Sequence, residues 1–143
     1  MKVKQLSIFL ENKKGRMLHA LSILEKLGIN IRALSIADTS EFGILRLIVS
    51  DPDKIKLELE KEQFIVKITE VIAVSIDDTP GGLNKVLRLL DENEINLEYL
   101  YAFVEQIKNR AIVILKLEDM EEGIKILKEN NTSILSTDEL YNI

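Results

Sequence analysis

The residues best suited to chemistry in this sequence lie in two short segments that combine glycine with amide and charged side chains. The first is residues 11–17, Glu-Asn-Lys-Lys-Gly-Arg-Met, and the second is residues 77–83, Asp-Asp-Thr-Pro-Gly-Gly-Leu. Each follows an apolar run and precedes an amphipathic pattern, which indicates a strand-to-helix junction. Helix N-termini offer free N–H groups and a partial positive charge that bind carboxylates. We therefore predict anion recognition at both segments.

The remaining side chains give no support to catalysis. The chain has no cysteine and a single histidine, His19, so thiolate nucleophiles, disulfides and multi-histidine metal sites are excluded. No carboxylate pair has a spacing typical of acid–base work, and the sequence contains no glycine-rich phosphate loop. His19 lies one position off the apolar stripe of its predicted helix, where we expect a surface residue. We predict no catalytic residue, no metal and no cofactor.

Composition limits the class of partner. The 143 residues are 46% hydrophobic and 30% charged, with a net charge of −5, which is typical of a soluble globular protein. Lys and Glu alternate without basic clusters, so nucleic acid and anionic membranes are not expected as partners. The N-terminus lacks the apolar segment of a signal peptide, and no run is long enough to span a membrane. We expect a cytoplasmic protein.

The two candidate segments belong to an internal repeat. A shift of 66 positions aligns residues 11–34 with residues 77–100 without a gap. Roughly one or two identities are expected by chance from typical residue frequencies. Six are found: Gly15/Gly81, Leu21/Leu87, Leu24/Leu90, Ile29/Ile95, Asn30/Asn96 and Leu34/Leu100. We predict two domains, residues 1–69 and 70–143.

Hydrophobic patterning predicts the same elements in each repeat. Short β-branched or apolar runs predict strands at residues 5–10, 31–37, 44–49 and 64–69, and again at 71–76, 97–104, 111–117 and 132–136. The first helix of each repeat follows an i, i+3, i+4, i+7 stripe, formed by Met17, Ala20, Leu21 and Leu24 or by Leu83, Val86, Leu87 and Leu90. Gly28 suits the end of the first of these helices.

The second helix of the first repeat is ambiguous by itself. Ile55, Leu57 and Leu59 alternate as in a strand, whereas Asp51-Pro52 resembles a helix cap followed by proline at the first helical position. The counterpart in the second repeat decides for a helix, because its apolar residues are spaced i, i+4, i+7: Met120, Ile124 and Leu127. Each repeat therefore reads βαββαβ.

This order predicts an α+β fold of tandem ferredoxin-like units, each with an antiparallel sheet and both helices on one face. The other face should be polar if it meets water. Strands 97–104 and 111–117 are apolar on both faces, with Leu97, Tyr99, Tyr101 and Phe103 on one side and Leu100, Ala102 and Val104 on the other. We expect the second face to be covered, either by the other repeat or by a second chain.

The glycine segments, together with Gly28-Ile29-Asn30-Ile31 and Glu94-Ile95-Asn96-Leu97, resemble the signature of the ACT domain, Glu-Asn-x-Pro-Gly-x-Leu followed by a helix and Gly-Ile-Asn-Ile. The resemblance covers the whole chain as two domains. It implies regulatory binding of an amino acid between the loop after strand one and the start of strand two, often across an interface of ACT units.

In ACT domains that bind serine, asparagines of this loop and of the strand-two start hold the effector, and Asn12 and Asn30 match these positions. In the second repeat Asn96 is kept, but Asp78 replaces the loop asparagine, so the two sites need not share a ligand. The ligand-binding residues implied are Asn12, Lys14, Gly15, Arg16, Met17, Asn30 and Ile31 in the first repeat, and Asp78, Pro80, Gly81, Gly82, Leu83, Asn96 and Leu97 in the second.

The first loop departs from the signature in two ways. Lys14 replaces the usual proline, which loosens the loop, and Arg16 with Lys13 adds positive charge that suits a carboxylate. Glycine at position 15 or 81 permits positive φ and close approach of a ligand to the main chain. An asparagine side chain both donates and accepts hydrogen bonds, as an amino acid requires.

Each of these residues also has a structural interpretation. Gly15 and Gly81 can serve only as tight turns, Asn30 and Asn96 can join helix to strand, and the aspartates of the second loop can cap the helix. Tyr99 and Tyr101 could form the aromatic platform of an RNA-binding sheet. The acidic charge argues against RNA, and we expect these tyrosines at an interface or in a pocket.

Three functions remain open at this point. The first is an amino-acid-binding regulatory module that is homodimeric and acts alone or on an enzyme of amino-acid metabolism. The second is an assembly subunit that oligomerises, or binds a partner enzyme, without a ligand of its own. A small ferredoxin-like enzyme is the third, and none of the side-chain patterns supports it.

Overall fold

A computed structural model describes residues 1–38, 41–103 and 107–143 of the chain. The described residues form two compact units. The first unit is Lys4–Thr69, and the second is Glu70–Ile143 together with Met1–Val3. We describe each unit separately.

The first unit contains the predicted βαββαβ order. Its elements are β1 (Val3–Glu11), α1 (Arg16–Lys26), β2 (Ile31–Asp38), β3 (Phe42–Val49), α2 (Pro52–Lys61) and the beginning of β4 (Ile65–Asp77). Strand β3 pairs antiparallel with both β1 and β2, which makes β2 an edge strand. On β1 and β4, the hydroxyls of Ser7 and Thr69 lie 3.1 Å apart.

The second unit repeats this order and adds one short helix. It contains the rest of β4, then α3 (Gly82–Glu92), β5 (Leu97–Ala102), β6 (Arg110–Leu117), α4 (Met120–Glu129), β7 (Ser133–Leu135) and α5 (Thr137–Tyr141). Strand β6 pairs antiparallel with β4 and β5, and β7 pairs with β4 on its other side.

In each unit, both helices pack on one face of the sheet. In the first unit the apolar core joins side chains of β1 and β3 to those of α1 and α2: Leu6, Ile8, Leu10, Leu45 and Leu47 with Ala20, Leu24, Ile55 and Leu59. In the second unit the corresponding core joins β4 and β6 to α3 and α4: Ile72, Val74, Val113 and Leu115 with Val86, Leu90 and Leu127. The predicted ferredoxin-like architecture is confirmed.

Helix ends follow the same geometry in the two units. Gly28 ends α1 with φ 68°, and the N–H of Ile29 donates to the carbonyl of Leu24. Glu94 takes the equivalent place after α3 with φ 56°, although it is not glycine. Pro52 is the first residue of α2, as predicted, but Asp51 has φ 53° and its side chain makes no capping bond.

The structure corrects several boundaries. The strands predicted at 64–69 and 71–76 are one continuous strand, β4, because no turn residue separates them. A β-bulge between Leu97 and Tyr99 places Leu97 on the helix-facing side with Leu100, opposite Tyr99 and Tyr101. Helix α5 was not predicted, and Val104 lies outside the described residues.

The expectation for the second sheet face is confirmed as far as burial is concerned. Tyr101, Ile112 and Ile114 alternate with the helix-facing residues of β5 and β6 and are 7%, 3% and 0% exposed. In these strands, apolar residues on both faces therefore predicted burial on both faces.

Candidate functional site

The first loop brings three cationic side chains next to an uncapped helix N-terminus, those of Lys13, Lys14 and Arg16. Gly15 is the residue before α1, has φ 87° and supplies no side-chain acceptor to the helix. The N–H of Asn12 donates to the carbonyl of Glu41 at 2.9 Å, which ties the loop to the start of β3. Lys14 and Gly15 are exposed. A positive φ explains why glycine stands at position 15.

One of the loop cations is neutralised within the loop. The ammonium of Lys13 lies 2.9 Å from the carboxylate of Glu11. This hydrogen bond is the main reason that the pKa of Glu11 lies below its ordinary value. Lys14 has no ion pair among the described residues, so its charge is available to a ligand.

A small cavity lies beside this loop. Its volume is about 140 Å³. It is lined by loop and helix residues Leu10, Glu11, Asn12, Lys13, Arg16 and Met17 and by strand residues Ile36, Phe42 and Gly43. Met17, Ile36 and Phe42 are large apolar residues that remain 37%, 50% and 52% exposed. Apolar walls with a few convergent polar groups are characteristic of small-molecule sites.

Arg16 connects the cavity to the packing beneath α1. Its guanidinium carbon lies 4.3 Å from the ring centroid of Phe64, a cation–π contact. The ring of His19 meets the same phenyl ring edge-on at 5.1 Å, and its Nε2 lies 3.7 Å from a carboxylate oxygen of Glu62. The Nε of Arg16 is buried and has no hydrogen-bond partner among the described residues. Buried donors are rarely left in this state.

The predicted strand-two residues, Asn30 and Ile31, lie at the opposite end of this sheet. The pair Glu11–Phe42 marks the loop end of β3 and the pair Ile31–Val49 marks the other end. These pairs are seven residues apart on β3, ~23 Å at the rise of an antiparallel strand. One amino acid therefore cannot contact both predicted asparagines within a single unit.

The second loop has the same backbone but tighter packing. Gly81, before α3, has φ 85°, and no side chain caps the helix. A Cβ atom on Gly82 would lie 2.0 Å from the carbonyl oxygen of Asp77, so position 82 accepts only glycine. The N–H of Asp78 donates to the carbonyl of Asn109 at 2.9 Å. Pro80 is exposed, whereas Leu83 is half-buried against the core.

The two loops differ most in the residue that the neighbouring strand places beside them, which is Phe42 in the first unit and Arg110 in the second. Phe42 is the β3 partner of Glu11, and Arg110 is the β6 partner of the equivalent residue Asp77. Arg110 forms an ion pair with Asp77, and its Nε donates to the hydroxyl of Ser75 at 3.0 Å. Asp77 is therefore held by the sheet rather than serving as a helix cap.

Asn96 and Leu97 again lie at the far end of their sheet. Leu97 pairs with Leu117, seven residues along β6 from the pair Asp77–Arg110. The carbonyl of Asn96 accepts the N–H of Glu118 at 3.0 Å, a main-chain bond between the segment before β5 and the segment before α4. The asparagine side chain is exposed.

Sequence reasoning missed the strand walls of the first cavity, Ile36, Phe42 and Gly43. Their position depends on the register of β2 and β3 against β1. One signal was present, since apolar residues flank the predicted β2–β3 connection on both sides.

Among the described residues there is no group of His, Asp and Glu able to hold a metal, and no helix long and apolar enough to cross a membrane.

Comparison with known proteins finds the same fold in solved structures. A crystal structure of a protein from Bacteroides thetaiotaomicron has a TM-score of 0.93 and 43% identity, and the match covers 100% of this chain and 98% of that one. The ligand-free regulatory subunit of aspartate kinase from Thermus thermophilus matches with a TM-score of 0.62 and 14% identity over 90% of this chain and 92% of its own.

The aspartate kinase of Clostridium acetobutylicum matches with a TM-score of 0.52 and 20% identity, over 90% of this chain and 33% of that one. Both kinase similarities show a shared fold. Curated proteins of known function give no match. The sequence profile described as an ACT domain pair matches residues 1–143. The chain therefore belongs to the ACT-domain family, as a tandem pair of ACT domains of the regulatory type.

Proposed function

We propose that this protein binds a small amino acid at the first loop and acts as a non-enzymatic regulatory module. The observation that carries the proposal is the cavity of about 140 Å³ at this loop. Asn12, Arg16 and Met17, which the sequence singled out, line it together with the apolar Ile36 and Phe42. A cavity of this size, below the usual range for drug-sized ligands, suits a small amino acid better than a large one.

The electrostatics of the loop favour the carboxylate end of the ligand. The N-terminus of α1 has no side-chain cap, and Lys14 and Arg16 have no carboxylate partner among the described residues. A ligand carboxylate would supply an acceptor to these groups and to the helix N–H groups. Asn12 would serve the ammonium group, because its carbonyl oxygen accepts hydrogen bonds.

We further propose that a complete site requires two copies of the chain. Asn30 lies about 23 Å from the first loop within its own unit, at the rise of an antiparallel strand. A ligand that contacts both Asn12 and Asn30 must therefore take one of them from another copy. A homodimer with residues 1–69 and 70–143 as its domains meets this requirement, and we propose the cytoplasm as its location.

One observation favours the alternative, an assembly subunit without a ligand. The edge strand β2 exposes Leu34 and Ile36, which are 42% and 50% accessible. Exposed apolar side chains on an unpaired strand edge are typical of an association surface. An enzyme of amino-acid metabolism is the partner we propose, because regulatory domains of aspartate kinase share this fold.

Thermal unfolding of the purified protein with each of the twenty amino acids separates these functions. A ligand that binds only the folded state raises the melting temperature by mass action. We expect one small amino acid, or a few related ones, to do so, and expect Asn12→Ala to abolish the shift. Asn84→Ala, an exposed asparagine on α3, is the matched control and should leave the shift intact. If every amino acid is without effect at millimolar concentration, the assembly subunit is favoured.

A further inference from the structure

The two units differ in what fills the space between their first helix and the turn after their second helix. In the first unit, Phe64 follows Gln63, which has φ 68°, and its N–H donates to the carbonyl of Leu59. In the second, Thr132 follows Asn131, which has φ 59°, and makes the same bond to Leu127. Thr132 is therefore the structural equivalent of Phe64.

In the first unit this space is filled by aromatic packing. Phe64 is only 3% exposed, with the Arg16 guanidinium on its face and the His19 ring against it. The 66-residue repeat places Gly82 and Lys85 at the positions of Arg16 and His19. At these equivalent positions the second unit has Thr132, Gly82 and Lys85 where the first has a phenyl ring, a guanidinium and an imidazole.

The result is an open cleft in the second unit. Its volume is about 420 Å³, within the usual range for small-molecule pockets. Ile76, Val86 and Leu89 provide its apolar side, and Thr132 lies where the phenyl ring would be. No larger residue at position 82 can refill it, because a Cβ there would meet the main chain of Asp77.

The rim of the cleft carries excess positive charge. Lys85 and Arg88 line it from α3, and both are exposed and have no ion pair among the described residues. Asp77, also in the lining, is already held by Arg110. Glu92 is the remaining carboxylate of the lining. Two basic groups against one available carboxylate favour an anionic ligand.

We propose that this cleft binds a small aromatic carboxylate, with the ring in the space that Phe64 fills in the first unit and the carboxylate at Lys85 and Arg88. The apolar side accepts the face of a ring, while the cations contact the carboxylate at the entrance. The cleft shares Gly82 with the residues assigned to the second loop but opens between α3 and the turn before β7. It is therefore a site separate from the amino-acid cavity of the first unit.

The test is a titration of the full chain with 3-phenylpropionate, followed by amide chemical shifts in ¹H–¹⁵N spectra. We expect shifts at Val86, Leu89, Asn131 and Thr132. The neutral 3-phenylpropanamide should bind more weakly, because it lacks the charge that the cations bind.

Two variants examine the two parts of the cleft. Lys85→Gln combined with Arg88→Gln should weaken phenylpropionate at least tenfold and leave the amide unchanged. Thr132→Phe should abolish binding of both, because it restores the ring of the first unit. As a matched control, Lys54→Gln with Lys67→Gln removes two exposed charges from the first unit and should not alter affinity.

Three results would overturn the proposal. These are no shift with phenylpropionate at millimolar concentration, shifts outside the cleft, and equal affinity in the Lys85→Gln/Arg88→Gln variant. Dispersed spectra establish that Thr132→Phe is folded. If Thr132→Phe does not fold, the Lys85→Gln/Arg88→Gln variant, whose substitutions are exposed on α3, tests the proposal by itself.

Discussion

Asn12 and Asn30 lie at opposite ends of the same sheet, because their neighbours Glu11 and Ile31 pair with residues seven positions apart along β3, Phe42 and Val49. At ~3.3 Å per residue, the separation exceeds the length of any amino acid. The two side chains can meet on one ligand only when they come from different copies of the chain. Under the proposed function, in which one ligand binds both asparagines, ligand binding therefore depends on oligomerisation.

Complementation between variants follows from this relationship. Asn12→Ala and Asn30→Ala should each abolish the ligand-induced rise in melting temperature, because each damages every site of a homodimer. After the two variants are mixed in equal amounts and subunits exchange, about a quarter of the sites should be intact, as two-fold symmetry requires. Calorimetric titration of the mixture measures this fraction. A mixture without any binding would exclude a site shared between copies.

Phe64 should be more important to stability than its counterpart in the second unit. Phe64→Ala removes a buried ring and leaves Arg16 and His19 without their packing partner. We expect a loss of about 3 kcal/mol in the free energy of unfolding. Thr132→Ala should cost less than about 1 kcal/mol. Urea unfolding measures both, and equal losses would show that Phe64 is not a core residue.

The two glycines before and at the start of α3 should respond differently to alanine. Gly82→Ala places a Cβ 2.0 Å from the carbonyl oxygen of Asp77, so the backbone must move. We expect this change to cost about 3 kcal/mol, as severe overpacking does. Gly81→Ala meets no atom within 4 Å, and only its φ of 85° opposes it, at about 1 kcal/mol. Urea midpoints in the reverse order would contradict the described loop.

Much of the fold could be predicted from the sequence, because helices and turns depend on residues close together in the chain. The apolar stripe containing Ala20 and Leu24 predicted a helix, and the glycines at 15 and 81 predicted turns. The bulge at Leu97 was not predictable, because it depends on pairing with β6. Helix α5 had a signal in the capping box of Ser136 and Glu139, but the predicted strand ended at Ser136 and no element was predicted after it.

The candidate site was predictable only on its loop side. Asn12, Arg16 and Met17 lie within six residues of sequence, in one loop and the first turn of α1. Ile36 and Phe42 complete the cavity through strand register, which residue spacing within one segment does not specify.

An ion pair near the N-terminus should make stability depend on pH. The ammonium of Lys2, 2.5 Å from Glu121, holds the pKa of that carboxyl below its ordinary value of 4.5. A lowered pKa in the folded state stabilises the protein above 4.5, and this stabilisation disappears as pH falls through the lowered value. Urea unfolding at several pH values should show that Glu121→Gln is less stable than the parent at neutral pH and equal to it in acid.

Glu118→Gln is the control for this ion pair, because it removes the same charge where no ion pair is present among the described residues. Its effect on stability should be smaller at neutral pH. A difference between Glu121→Gln and the parent that persists in acid would mean that the ion pair is not its cause.

Mapping the bound amino acid on the protein tests binding at the first loop most directly. The amino acid with the largest thermal shift is added to ¹⁵N-labelled protein, and amide shifts are followed to saturation. We expect the largest changes at Asn12, Gly15, Met17 and Phe42, and we expect them to disappear in Asn12→Ala. Saturable changes confined to other residues, with none at the first loop, would contradict it.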